Sequence, residues 1–187
     1  MKVLAKVTVG LALSGAVLGA IWAAIAPPVH TITGLSKSGE RVDGFLGRAA
    51  DNVFVASAML TGLLCMLAVI TAVALWQWRT RRGPLMVIAL WIGMAAAGAA
   101  AAGTGAALAH WRYGTPDREG VALSPDNRVA YFTEAPPVFM GHNVFQVVVT
   151  LLLPAAVAVL VYALMAAGTH RDDLGATVGG KEPVHRA

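Results

Sequence analysis

Four long segments without a single acidic or basic side chain constrain this chain more than any other feature. A helix needs about 20 consecutive apolar residues to cross the hydrocarbon core of a bilayer, and each of the four segments has that length. Because lipid offers the backbone no hydrogen-bond partner, a spanning segment must satisfy its own N–H and C=O groups, as an α-helix does. The sequence therefore predicts an all-α membrane protein, a four-transmembrane-helix bundle with spans over residues 7–26, 53–78, 85–109 and 144–167.

The composition agrees with a membrane protein. Charged residues make up only 13% of the chain and hydrophobic residues 57%, whereas a soluble domain carries about 25% charged residues. The net charge of +4 arises from basic residues beside the apolar segments, which is typical of membrane proteins, so no nucleic-acid partner is predicted. We expect a single transmembrane domain over residues 1–167 and a flexible cytoplasmic tail over residues 168–187.

Basic residues predict the orientation of the spans. Lys2 and Lys6 precede the first span, and three arginines lie in the short turn over residues 79–84. The positive-inside rule assigns both regions to the cytoplasm. The long loops 27–52 and 110–143 then lie outside, and both termini are cytoplasmic. We expect a multi-pass protein of the bacterial inner (plasma) membrane.

The first span also has features of a signal peptide, namely its basic start and the Ala24-Ile25-Ala26 sequence. Its apolar run is longer than the core of about 7–15 residues that is usual for a signal peptide. Pro27 would also follow the scissile bond. We therefore expect an uncleaved membrane anchor.

Both outer loops are expected to contain ordered structure. Residues 42–49 carry apolar side chains at helical spacing and charged ones on the other faces, which predicts a short amphipathic helix on the lipid headgroups. In the second loop, residues 121–123 and 128–133 flank a Ser-Pro-Asp-Asn sequence over 124–127. That sequence is typical of a type I turn, and it predicts a small β-hairpin.

Transport chemistry is not indicated, because the predicted spans contain no acidic or basic group. Proton relays and coupled ion sites need such groups at membrane depth, so a proton-coupled pump or a charge-lined channel is not expected. A passive apolar conduit stays open. The single cysteine, Cys65, excludes an internal disulfide.

Three histidines in the outer loops are the candidates for a metal site. His30, His110 and His142 lie near span ends, and three histidines can hold zinc, but no HxH or HxxxH spacing brings them together. The outer carboxylates are not spaced as an acid–base pair, and the sequence lacks GxSxG, P-loop and dinucleotide-binding motifs. We predict no catalytic residue, no metal site and no cofactor, and the chain is not expected to be an enzyme.

Small residues recur at four-residue spacing on the first and third spans. Such faces let helix backbones approach closely, and packing rather than hydrophobicity drives helix association in lipid. These rows can serve packing among the four spans. The third span, however, has small residues on more faces than contact with one neighbouring helix requires. We therefore also predict contact with a membrane partner. The predicted partner-packing residues are Gly15, Gly19, Gly93, Ala97, Gly98, Ala101, Gly103 and Gly105.

Several short strings resemble a known family. They are IAPPVH (25–30), GERV (39–42), WQWR (76–79), RYG (112–114), EAPPVF (134–139), AAGT (166–169) and RDDLG (171–175). Through them, nearly the whole chain resembles a mycobacterial and actinobacterial family of small four-span membrane proteins, largely of unknown function. That family includes LucB, an accessory subunit of the Mce (mammalian cell entry) lipid-import complex. The strings indicate lineage rather than chemistry.

The resemblance implies a non-catalytic accessory subunit of an Mce-type ABC lipid importer, in contact with its permease and Mce subunits. Two alternatives stay open from the sequence. One is an independent small membrane transporter or lipid-handling protein. The other is a structural or regulatory membrane protein unrelated to lipid import. An outer membrane-surface enzyme is a weaker hypothesis, and a bound metal would support it.

Overall fold

The computed structural model describes residues 2–118, 120–124, 127–141 and 143–169. Within them lie four long helices: α1 (Lys2–Ile25), α2 (Ala49–Trp76), α3 (Pro84–Tyr113) and α4 (Val144–Ala167). Each is long and apolar enough to cross a membrane, which is consistent with a multi-pass membrane protein and compatible with the predicted bundle. α1 and α2 begin before the predicted spans, and α3 ends after its span, because a helix can continue past the apolar run. The predicted tail lies, from residue 170 onwards, outside the described residues.

Local sequence signals set several helix ends. Pro84 occupies the first turn of α3, where its missing N–H costs nothing. Asn143 caps α4, because its side-chain oxygen accepts a hydrogen bond from the Phe145 N–H at 3.0 Å. Gly114 follows α3 with a φ of 69°, and its N–H donates to the His110 carbonyl at 2.7 Å. That positive φ favours glycine.

Three strands form an antiparallel sheet at one end of the bundle, which we call the sheet end. β1 (Val29–Leu35) follows α1, β2 (Arg41–Phe45) precedes α2, and β3 (Val129–Glu134) lies between α3 and α4. The strand order is β2-β1-β3, so β1 is central. The sheet therefore joins the two connections that lie at this end of the helices.

The opposite end, which we call the basic end, contains the start of α1 and the turn between α2 and α3. This turn is a short 3-10 helix (Arg79–Arg81). Both Lys2 and the arginines of the turn lie here. The sheet and these four basic residues are thus at opposite ends of the bundle.

The predicted amphipathic helix over residues 42–49 is wrong. These residues form most of β2, a connection and the first residue of α2. Gly44 and Gly47 lower helix stability here, and Gly47 has a φ of 56°. The backbone of β2 forms hydrogen bonds with β1 instead of helical hydrogen bonds. The turn of this β1–β2 hairpin contains Gly39, which has a φ of 84°.

The hairpin predicted within the second loop is wrong in its pairing. Ser124 and Asn127 exchange two backbone hydrogen bonds of 3.0 and 3.1 Å, and the two residues between them lie outside the described residues. The strand predicted over residues 128–133 is also present, as β3. Residues 121–123 are not a strand, however, and β3 pairs with β1. β1 offers a longer partner edge than a three-residue segment, and a sheet of three strands is more stable than an isolated hairpin.

α1 and α3 run parallel and form the closest helix contact in the described chain. Gly15 lies against the backbone of Ala97, and Gly19 lies against the backbone of Ala101. A Cβ atom at either glycine would overlap the α3 backbone, so this approach requires glycine. The Thr104 hydroxyl adds a polar contact, 3.1 Å from the Ala16 carbonyl of α1.

Two buried clusters fill the bundle. Towards the sheet end, Trp22 is fully buried and its indole N–H donates to the Ala56 carbonyl of α2 at 2.7 Å, which satisfies the polar group of this side chain. Towards the basic end, the rings of Trp76 and Tyr162 pack edge to face with centroids 5.1 Å apart. Among the described residues, every buried side-chain polar atom has a hydrogen-bond partner.

Gly15→Ala tests the contact between α1 and α3. The added Cβ would overlap the Ala97 backbone, and we expect the free energy of unfolding to fall by about 1–3 kcal/mol, as is usual for overpacking. Gly10→Ala is the matched control, because Gly10 is exposed and has open space around it. Unfolding of both variants in detergent, followed by circular dichroism, measures the difference. Equal stability of the two variants would contradict the close contact.

Candidate functional site

Most of the predicted partner-packing residues contact other helices of this chain. Gly98 of α3 lies against the Leu151 backbone of α4. Internal packing, which the sequence left as one possibility, accounts for these positions. A role for them in partner contact stays a prediction. Those in the contact between α1 and α3 are Gly15, Gly19, Gly93, Ala97, Ala101 and Gly105.

Gly103 differs from the other predicted residues. It is exposed, and a Cβ atom built there would have no neighbour within 4 Å. Ala99 and Ala107, one turn away on either side, are also exposed, and Ala95 is partly exposed. We call Ala95, Ala99, Gly103 and Ala107 the open face of α3. The fold uses one row of small residues for the contact with α1 and leaves this second row uncovered.

A shallow groove continues the open face towards the sheet end. It has a volume of about 330 Å³ and lies between the last turns of α1 and α3. Trp111 forms one wall and is 85% exposed. Tryptophan is enriched where a membrane meets water. The other residues that line the groove are Ala20, Ala23, Ala24, Leu108 and Arg112.

A group of polar residues, which we call the polar clamp, joins the second loop to the sheet. Arg118 forms an ion pair with Glu134 of β3, and its guanidinium lies 3.9 Å from the Asp43 carboxylate of β2. On β1, the Thr31 hydroxyl donates to Glu134, and the Thr33 hydroxyl donates to Asp43 at 2.5 Å. The hydrogen bond with Glu134 raises the pKa of Arg118 above its ordinary value, so this side chain stays charged. The clamp therefore contains groups from all three strands.

Arg41 of β2 strengthens the same connection. Its guanidinium donates to the backbone carbonyls of Arg118 and Val121, both at 2.7 Å. The loop is thus held both by the side chain of Arg118 and through its own backbone. Beside the clamp lies a cleft of about 490 Å³, lined in part by Val29, Phe45 and Pro137.

The polar clamp has the chemistry of a structural connection. A hydroxyl nucleophile needs a base placed to accept its proton. Here the Thr31 and Thr33 hydroxyls donate to carboxylates that also face the Arg118 guanidinium. Each carboxylate thus contacts both a hydroxyl and the guanidinium, so its oxygens are occupied by contacts within the sheet end. Such contacts are expected of a structural ion-pair and hydrogen-bond network that holds the loop against the sheet.

The described histidines form separate local contacts. A ring nitrogen of His30 lies 3.2 Å from the Thr133 hydroxyl, and one of His110 lies 2.8 Å from the Ala106 carbonyl. His142 falls outside the described residues. In the part of the chain that the structure describes, no three residues among His, Cys, Asp and Glu come together as metal ligands.

Four long apolar helices with a three-stranded sheet at one end are consistent with a multi-pass helical membrane protein that has a small sheet at one end of the bundle. The chain belongs to the DUF2567 family, described as proteins of unknown function, with a match over residues 11–176.

Two relatives illustrate the family. An uncharacterized protein of Mycobacterium tuberculosis (strain H37Rv) is 49% identical over 167 residues, which cover 89% of this chain and 86% of the relative. An uncharacterized protein of Mycobacterium leprae is 48% identical over 174 residues, 93% of this chain and 88% of the relative. No solved structure matches the chain. The predicted membership of a mycobacterial family is therefore confirmed, and the link to LucB and the Mce complex stays a prediction.

Arg118→Gln tests the polar clamp. We expect a loss of about 1 kcal/mol of local stability, because the Arg118 side chain is 36% exposed and exposed ion pairs are partly screened. Backbone amides of β2 and β3 should then exchange with deuterium about fivefold faster. Arg48→Gln is the matched control, since the ion pair of Arg48 with Asp51 is far more exposed. Unchanged exchange in Arg118→Gln would show that the clamp does not hold the sheet.

Proposed function

We propose that this protein is a non-catalytic accessory subunit of an Mce-type ABC lipid importer. In this proposal, the open face of α3 packs against a helix of the permease in the bacterial inner membrane. The observation that carries the proposal is the uncovered row of Ala95, Ala99, Gly103 and Ala107. The resemblance of the sequence to the LucB family supplies the class of partner.

The physical support comes from the cost of glycine in a helix. Glycine destabilises a helix interior by about 1 kcal/mol relative to alanine. At Gly15 and Gly19 the close approach of α3 offsets that cost. At Gly103 no atom of the described residues occupies the space. A partner helix at the open face would gain the close backbone contact that small residues allow in lipid.

The titratable groups support a non-catalytic role. The described acidic residues lie at the sheet end, outside the apolar parts of the helices. Two of them, Asp43 and Glu134, belong to the polar clamp and already face Arg118. Each of them also accepts a hydrogen bond from a threonine hydroxyl of β1, so both carboxylates are engaged in contacts that join the strands and the loop.

Gly103→Leu tests the docking surface. A Cβ atom at Gly103 meets no described atom within 4 Å, and the residue is exposed. A leucine there would project into the open face, so the protein should fold and insert normally while its recovery with Mce permease subunits falls at least about tenfold. Gly62→Leu is the matched control. Gly62 of α2 is also exposed and uncrowded, but Met66, one turn away, is 63% exposed and interrupts any small face.

The measurement is affinity purification of tagged protein from gently solubilised native membranes, with permease and Mce subunits quantified by mass spectrometry. Recovery without permease and Mce subunits would contradict the importer assignment. Equal recovery of these subunits with both leucine variants would contradict the open face as the docking surface.

We also propose that both termini are cytoplasmic and that the sheet end lies outside, as the basic residues predict. In a Cys65→Ala background, Ser38→Cys in the β1–β2 turn should react with a membrane-impermeant maleimide in intact cells. Thr80→Cys, at the basic end, should react only after permeabilisation. Both positions are exposed, so access alone determines labelling. The reverse pattern would invert the orientation.

A further inference from the structure

We propose that a cavity at the basic end binds the phosphate of one anionic phospholipid. The cavity has a volume of about 610 Å³ and lies between the start of α1 and the start of α3. Lys2, Arg81 and Arg82 form its polar wall. Apolar side chains form the rest, among them Val3, Leu4, Leu85 and Met86. This inference is independent of the open face of α3.

The charges around the cavity favour an anion. No acidic side chain is among the described residues that line it. The described carboxylates lie at the sheet end. Basic residues next to a membrane surface each contribute about 1 kcal/mol to the attraction of anionic lipid. Lys2 and Arg81 at one cavity concentrate this attraction at a single place.

Aromatic rings hold the two arginines in position. The Arg82 guanidinium lies 4.2 Å from the centroid of the Trp76 ring, and its Nε donates to the Trp76 carbonyl at 2.9 Å. The Arg81 guanidinium lies 5.2 Å from the Trp78 ring centroid. Stacking uses the face of a guanidinium rather than the N–H donors on its edge. Arg81 is therefore oriented while its edge donors suit the bidentate recognition of phosphate.

The apolar wall favours a lipid over free phosphate. Leu85 is 59% exposed, and Ile88, about one turn further along α3, is 50% exposed. An acyl chain can therefore continue from the cavity along the apolar surface of α3. Tryptophans at this end of the helices, Trp76 and Trp78, are typical of the membrane–water boundary where phosphate groups lie. The occupant that matches both walls is a phospholipid with a negative headgroup.

Native mass spectrometry of the full chain in neutral detergent tests the proposal. Wild-type protein should retain one phosphatidylglycerol molecule in preference to phosphatidylcholine. Lys2→Gln combined with Arg81→Gln should weaken phosphatidylglycerol binding by about tenfold to thirtyfold, as expected for the loss of two basic contacts. Arg79→Gln is the matched control, because Arg79 lies in the same turn but does not line the cavity. It should change binding by less than about twofold.

Four outcomes would overturn the proposal. The first is equal retention of phosphatidylglycerol and phosphatidylcholine by the wild type. The second is a loss in Arg79→Gln as large as in the double variant, which would indicate general surface charge. The third is displacement of the lipid by inorganic phosphate alone, which would indicate an anion site without acyl contact. The fourth is undiminished phosphatidylglycerol binding by the double variant, which would show that Lys2 and Arg81 do not hold the lipid.

Discussion

The contact between α1 and α3 positions the groups that meet at the sheet end and at the basic end of the bundle. These helices are separated in the sequence by α2, and they lie side by side because Gly15 and Gly19 admit the α3 backbone. β1 continues from α1, and the chain that leaves α3 reaches β3. The parallel alignment of the two helices therefore brings β3 next to β1, which the polar clamp requires. At the other end the same alignment places Lys2 beside the arginine turn.

The sequence predicted the helices well, because their physical cause is local. An apolar run of sufficient length forms a helix in lipid whatever lies beside it, and Pro84 and Asn143 act within one turn. The choice of partner helix has no such local signature. The two rows of small residues on α3 look equivalent in the sequence, and only the packed structure separates the row that contacts α1 from the row with Gly103.

Only β3 was predicted as a strand. The pairing of the sheet and the polar clamp were not predicted, since both depend on contacts between distant segments. Residues 42–49 fit helical spacing, but hydrogen bonding to β1 outweighs that pattern. Arg118 and Glu134 are 16 residues apart in the sequence, and nothing in that spacing indicates the ion pair that they form. One signal was present in the sequence: four of the five residues over 29–33 are β-branched, which is typical of a strand. It indicated β1 without indicating its partners.

The parallel pairing of α1 with α3 also has a consequence for biosynthesis. α1 is made first, and its glycine-lined face has no α3 to contact until α2 and then α3 have been synthesised. The β1–β2 hairpin can pair early because its strands are close in sequence, whereas β3 follows α3 in the chain. Contacts between distant segments form only after both segments exist. The helix bundle and the sheet are therefore completed late in translation. A nascent chain that stops before α3 lacks both the contact between α1 and α3 and the pairing of β1 with β3.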